Sequence, residues 1–307
     1  MGVKSPKKIN DIDDQRMKAY LDDMKAKKKY WLGHLDDPKC FVRLQNGNTK
    51  TGHLSKTVSL APVIDCPNCN VCKGKCYDLR NDCCYENVRN DRARNSAIHQ
   101  ADIARFWREI EEAVKAEFVI FLRINVGGDL RYEDYNYLRE MAERCPKTTF
   151  QFFTKNTKDL IRWYDEGNSF PDNVKKLVSK WAGMDIPNPY HWPEAHVNFA
   201  DGSCTAPLFG AYFCRGNCSA CYFNEEGCPS LKNGEHAVYS DVVNGGYLLP
   251  KKGKYTMKDF KGLLTEWSQL DALFIINCSA TYWNTNVSRI FETAKFLTLC
   301  ELGIAVM

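Results

Sequence analysis

Cys66-Pro-Asn-Cys69-Asn-Val-Cys72-Lys-Gly-Lys-Cys76 puts four thiols into one eleven-residue loop at spacing C-x2-C-x2-C-x3-C, and this constrains the chain more than any other stretch. Neither helical nor strand periodicity calls for such a pattern. Thiolates are soft anionic donors, and Pro67 and Gly74 let the backbone fold so that three or four sulfurs converge on one centre. Donor type and spacing fit a [4Fe-4S] cluster. Zinc is the competing metal, because Cys66-x2-Cys69 has the spacing of a zinc knuckle and a second C-x2-C, Cys218-x2-Cys221, would complete a tetrahedral site.

A second cysteine field follows later: Cys204, then Cys214-Arg-Gly-Asn-Cys218-Ser-Ala-Cys221, then Cys228. Its three-thiolate core suits a cluster whose fourth site comes from Cys204 or Cys228, so one or two [4Fe-4S] clusters are expected. The 15 cysteines read as disulfides or as metal ligands according to compartment. The amino terminus carries no apolar h-region, which points to reduced thiols in a cytoplasm. No apolar run approaches about 18 residues, so no membrane partner is expected. The net charge of +4 is matched by the first thirty residues alone, with nine Lys/Arg against five Asp, which leaves the body nearly neutral and without a broad basic face for nucleic acid. Cys40, Cys145, Cys278 and Cys300 lie in apolar surroundings and read as buried thiols, Cys83 and Cys84 as locally packed ones. His99, His191, His196 and His236 stand singly and read as structural histidines.

Periodicity predicts a charged amphipathic helix over 11–31 and a strand within 54–64 that runs directly into the first cysteine loop. It then predicts one long helix over 92–116, a buried strand over 118–126 ending in Gly127-Gly128-Asp129, a helix over 132–144, a strand over 148–154, a short helix over 158–163 and a strand over 174–181. This βα alternation implies an α/β fold with a parallel sheet, open or curled into a partial barrel, and the metal loop sits at the carboxyl end of its first strand. Prolines at 187, 189 and 193 mark 183–198 as a loop or boundary. Expected segments are therefore 1–53 (helix and connection), 54–198 (core), 199–240 (second cysteine field) and 241–307 (an α/β tail).

From Leu54 to about Glu235 the chain resembles the gene product 88 family of bacteriophage proteins. The resemblance rests on the Cys66-Pro loop with Cys72-x3-Cys76-Tyr77, on Asn87-Val-Arg89 with Arg94-Asn95, on the strand ending Gly127-Gly-Asp129 and on Cys218-x2-Cys221. Cys69 is an addition to the family's pattern. The layout is also similar to that of the radical S-adenosylmethionine superfamily. There a three-cysteine loop after the first strand binds a cubane cluster, and a Gly-Gly-Glu-like segment after the second strand holds the methionyl amino group. The spacing differs, since that superfamily's C-x3-C-x2-C occurs here at Cys214, Cys218 and Cys221. The resemblance implies a radical-SAM-like (β/α) partial barrel with a cysteine-rich C-terminal extension. It also implies S-adenosylmethionine as a possible cofactor near Arg123, Asn125, Gly127, Gly128 and Asp129, and, for a phage protein, the host cytoplasm as location. The substrate stays unknown. The alternative is a non-catalytic binding module, stapled by iron-sulfur or zinc, that contacts nucleic acid or a host protein through residues such as Arg89, Arg92 and Arg94.

Overall fold

A computed structural model describes residues 14–46, 55–69, 72, 76–181, 183–198, 212–213, 221 and 227–240. Cys204, Cys214, Cys218 and the tail expected over 241–307 lie outside the described residues. The chain divides into two compact units, the first running to Ser179 and including Gly183–Trp192, the second comprising Lys180–Ala182 and the residues from Pro193 onward.

The first unit is an α/β structure on a mostly parallel sheet. Its strands are β1 (Gln45–Asn46), β2 (Ser55–Val58), β3 (Phe121–Ile124), β4 (Thr149–Thr154) and β5 (Val174–Lys180), adjacent in that order. β1 pairs antiparallel with β2, and β2 through β5 pair parallel. The order is sequential and lacks the reversal that marks a doubly wound sheet. Between β2 and β3 run α2 (Tyr77–Cys84), α3 (Glu86–Ala101) and α4 (Ile103–Ala116); α5 (Tyr132–Arg144) and α6 (Thr157–Asp165) make the next two crossovers.

Strand parity explains where the core lies, because alternate residues face opposite sides of a sheet. Val58, Leu122, Ile124, Phe150, Phe152 and Val178 share one face and join Ile110, Leu138, Met141, Leu160 and Trp163 of the helices in one buried cluster. Arg123, Phe153 and Gln151 belong to the other face, where the Arg123 guanidinium sits 4.8 Å from the centre of the Phe153 ring. α1 (Asp14–Leu32) lies against α3 and buries Tyr20, Met24 and Trp31.

Two sequence expectations need correction. The helix expected over 92–116 is broken at Asp102, whose backbone is extended (φ −152°, ψ 93°) and whose carboxylate accepts from the Arg105 N–H at 2.8 Å. Asp102 closes α3 and caps α4, because a short carboxylate satisfies an orphan helix amide better than a continuous turn would. The region 183–198 is irregular only as far as Pro193; β6 (Glu194–Asn198) follows, with proline placed ahead of the strand where its missing N–H costs nothing. In the second unit, β6 pairs parallel with β8 (His236–Ser240), which pairs parallel with β7 (Tyr212–Phe213). No helix among the described residues is long and apolar enough to cross a membrane.

Candidate metal centre at the carboxyl edge of the sheet

One carboxylate fixes the entry to the cysteine loop. Asp65, directly before Cys66, accepts from Ala61 N–H at 3.1 Å and Ser96 Oγ at 2.5 Å through Oδ2, and from Lys28 Nζ at 2.9 Å through Oδ1. Its carbonyl accepts from Asp129 N–H at 3.0 Å. These bonds tie the turn after β2 to α1, α3 and the turn after β3. Val63, two residues upstream, is held at φ 70°, a left-handed value that a β-branched residue adopts only when its surroundings impose it.

An ion network fixes the exit. α2 begins directly after Cys76, and its Asp78 and Asp82 both meet Arg92 of α3. Arg92 Nη1 lies 2.5 Å from Asp78 Oδ2 and 2.5 Å from Asp82 Oδ1, and Nη2 lies 2.8 Å from Asp78 Oδ1. All three residues are buried. Burial pushes the Asp82 carboxyl up to about 7 against the pull of Arg92. Its Oδ2 is 3.2 Å from Tyr20 Oη, which is itself 3.1 Å from the Pro62 carbonyl. The Tyr20 hydroxyl is thus placed to donate to Asp82 Oδ2 or to the Pro62 carbonyl.

Between these clamps the thiols gather. Asn68 Nδ2 donates to the Lys155 carbonyl at 3.1 Å, which joins the loop to the turn after β4. Cys69 lies within hydrogen-bonding reach of both Cys66 and Cys72, and these contacts, with burial, push its thiol pKa up. Cys72 is lowered to about 6 by the hydrogen bond from Cys69, with Lys155 helping and burial opposing. Cys76 accepts from Leu79 N–H at 3.5 Å and is pushed up to about 12 by burial and the nearby Asp78 charge. Burial works against the Lys155 charge, yet Cys72, Asp129, Cys76 and Cys66 together hold its ammonium above the ordinary lysine value. A cation set among three of the thiols is the compensation that a multi-thiolate centre needs.

Gly127, Gly128 and Asp129 arrive at the same edge from β3. Asp129 is buried; its Oδ1 accepts from Leu130 N–H at 2.9 Å, and its Oδ2 from Lys155 N–H at 2.9 Å and Asn156 N–H at 3.2 Å. Burial raises its pKa while these amides pull it back. The carboxylate thus welds the turn after β3 to the turn after β4. A Cβ on Gly127 would stand 2.2 Å from Asp78 Oδ2, and one on Gly128, whose φ is 82°, would stand 2.7 Å from Leu60 Cβ.

Asn125, at the end of β3, differs from these neighbours. It is 5% exposed and left-handed at φ 51°, and neither amide atom of its side chain has a hydrogen-bond partner among the described residues. A buried amide costs about 1–3 kcal/mol when its polar atoms go unbonded, and such outliers concentrate at ligand sites. Asn125→Gly is expected to leave stability unchanged or raise it by up to about 1–2 kcal/mol, since glycine adopts this φ freely. Urea denaturation checks this, and a loss of stability would mean that the amide is bonded after all.

The second unit holds a donor group that reading the histidines one by one misses. The register Glu194↔His236 and His196↔Val238 puts Glu194, His196 and His236 on one face of the β6–β8 pair. His196 Nε2 is 3.1 Å from His236 Nδ1, Glu194 Oε2 is 3.2 Å and 3.3 Å from these two nitrogens, and Lys180 Nζ is 3.3 Å from Glu194 Oε1. Glu194-x-His196 carries the period of a strand, but nothing local announces a partner 40 residues on. His99, by contrast, is a structural histidine as expected, 2.7 Å from buried Asp134. Of the second cysteine field, Cys221 lies 3.4 Å from Tyr212 Oη and Cys228 lies 2.5 Å from Tyr239 Oη. Tyr212 pairs with Ala237, so both tyrosines belong to the face of β8 opposite the histidines.

Residues 36–201 match the family model described as Gene product 88, just over half of the chain. No curated protein and no solved structure matched.

Proposed function

The chain belongs to the gene product 88 family, and from that premise we propose that Cys66, Cys69, Cys72 and Cys76 hold a thiolate-ligated metal centre, a [4Fe-4S] cluster by their spacing, at the carboxyl edge of a (β/α) core. The observation that carries this reading is the gathering of the loop's thiols, Cys66, Cys72 and Cys76 beside Lys155 and Cys69 within hydrogen-bonding reach of Cys66 and Cys72, with Asp65 and Arg92 clamping the loop at its two ends. The carboxyl edge of a parallel sheet is where α/β proteins bind ligands, and Asn125 offers an unbonded amide there. When bound, an iron-sulfur cluster would supply electron transfer or, at an iron left open, binding of S-adenosylmethionine. The protein's own part is to orient the four sulfurs, balance their charge with Lys155 and present Asn125 to what binds beside them. Asp129 enters as a weld between two turns, because its oxygens already accept from backbone amides.

Zinc is a second reading with an observation in its favour. Cys69 lies within hydrogen-bonding reach of both Cys66 and Cys72, a close gathering of sulfurs of the kind a tetrahedral zinc site needs. Anaerobic purification followed by iron, sulfide and zinc analysis separates the two. The iron-sulfur reading expects iron and sulfide in equal amounts, falling by about four irons per chain in Cys72→Ser. A paramagnetic signal of the reduced protein that changes on adding S-adenosylmethionine would point to an open iron, and an unchanged signal to a closed cluster. Zinc without iron would sink the iron-sulfur reading, and metal content unaltered by Cys72→Ser would sink both.

A further inference from the structure

We propose that Glu194, His196 and His236 form a second metal site, of the two-histidine, one-carboxylate kind, which binds a divalent first-row transition ion independently of the thiolate centre. The three donor atoms stand 3.1, 3.2 and 3.3 Å from one another. Ligands on bonds of about 2.1 Å lie about 3.0 Å apart at octahedral angles and about 3.4 Å apart at tetrahedral ones. All three separations fall between those limits, so one ion can reach all three atoms without rearrangement.

Protons alone satisfy the triangle poorly. If both nitrogens carry hydrogen toward the carboxylate, the two N–H groups confront each other at 3.1 Å. If only one does, the bare nitrogen sets its lone pair against the carboxylate oxygen, so with Glu194 ionised one edge stays repulsive in either arrangement. A cation draws on all three lone pairs together. The group is also held in place. Lys180 engages Glu194 Oε1, which turns Oε2 toward the histidines, and His196 is 2% exposed. Glu235 is diverted from the site, since its carboxylate accepts from Lys232 N–H at 2.7 Å. Two imidazoles with one carboxylate suit zinc or ferrous iron rather than magnesium or calcium, and three donors leave positions for water or a substrate.

Cobalt(II) is a suitable probe, because sulfur ligation adds intense near-ultraviolet absorption that nitrogen and oxygen ligation lacks. The chelator-treated full chain should bind one cobalt ion more than its sulfur absorption accounts for. His236→Gln, at a partly exposed position, and Glu194→Gln should each weaken that ion at least tenfold while leaving the sulfur absorption intact. Circular dichroism confirms folding of each variant, and the two variants guard against either one failing alone. Equal cobalt binding by wild type and both folded variants would overturn the assignment. So would an ion whose loss removes the sulfur absorption as well, whatever metal the thiolate centre proves to hold.

Discussion

Arg92→Met is expected to cost about 3–5 kcal/mol in global stability, the range for removing one partner from a buried ion network. Arg92 carries the positive charge that pairs with both carboxylates, and its removal strands Asp78 and Asp82 in the interior. Asp82→Asn should cost far less, because asparagine has the shape of the neutral acid and its amide oxygen still accepts from Arg92. The two also differ in pH dependence. The Asp82 pKa is raised from an ordinary 3.8 to about 7 in the folded chain, so its contribution is fully present below the lower value and is lost as pH rises through the upper one. Wild type should therefore lose stability from this group between about pH 4 and pH 7, and Asp82→Asn should flatten that slope. Urea denaturation across that range tests both, and an Arg92→Met chain within about 1 kcal/mol of wild type would show the network to be dispensable.

What could be read from the sequence was what is local. The cysteine loop, the strand ending at Gly127-Gly-Asp129, the helix Tyr132–Arg144 and the strand to Thr154 announce themselves by spacing and period, and their ends meet at one edge of the sheet. Strand lengths came out too long, since Phe118 and Val126 are apolar yet fall outside the hydrogen-bonded ladder of Phe121–Ile124. Asp102 shows the limit of periodicity: an apolar stripe continues across it, but the backbone does not. The histidine pair was out of reach for a different reason. His196 and His236 become neighbours only through a parallel pairing whose register depends on tertiary packing, which no pattern within either strand encodes. Buried partnerships such as Arg92 with Asp78 and Asp82 were hidden likewise, and Arg92, one of the three arginines that looked available for nucleic acid, is buried, whereas Arg89 is partly exposed. Arg94, which donates to the Phe41 carbonyl, is buried as well.

Gly127→Ala is the second substitution expected to act strongly, and it separates two meanings of the glycine pair. A glycine placed so that backbone can approach a cofactor, when replaced by alanine, leaves a stable fold that binds poorly. A glycine placed for internal packing leaves an unstable one. The geometry here argues for packing. The new methyl would meet Asp78 Oδ2 at 2.2 Å, Arg92 Nη1 at 3.0 Å and the Leu60 carbonyl at 3.0 Å, and the first two cannot swing aside without opening the ion pair they form together. Overpacking of this kind costs about 3 kcal/mol, at the upper end of its usual range. Gly128→Ala adds a left-handed penalty of about 1–2 kcal/mol to its overlap with Leu60. Denaturation should show both losses, with metal content per folded chain unchanged, because neither methyl is directed at a cysteine in its nearest contacts. A Gly127→Ala protein of wild-type stability that no longer responds to S-adenosylmethionine would reverse this assignment, making the glycines part of a ligand cradle and leaving the Asp78–Arg92 pair able to yield.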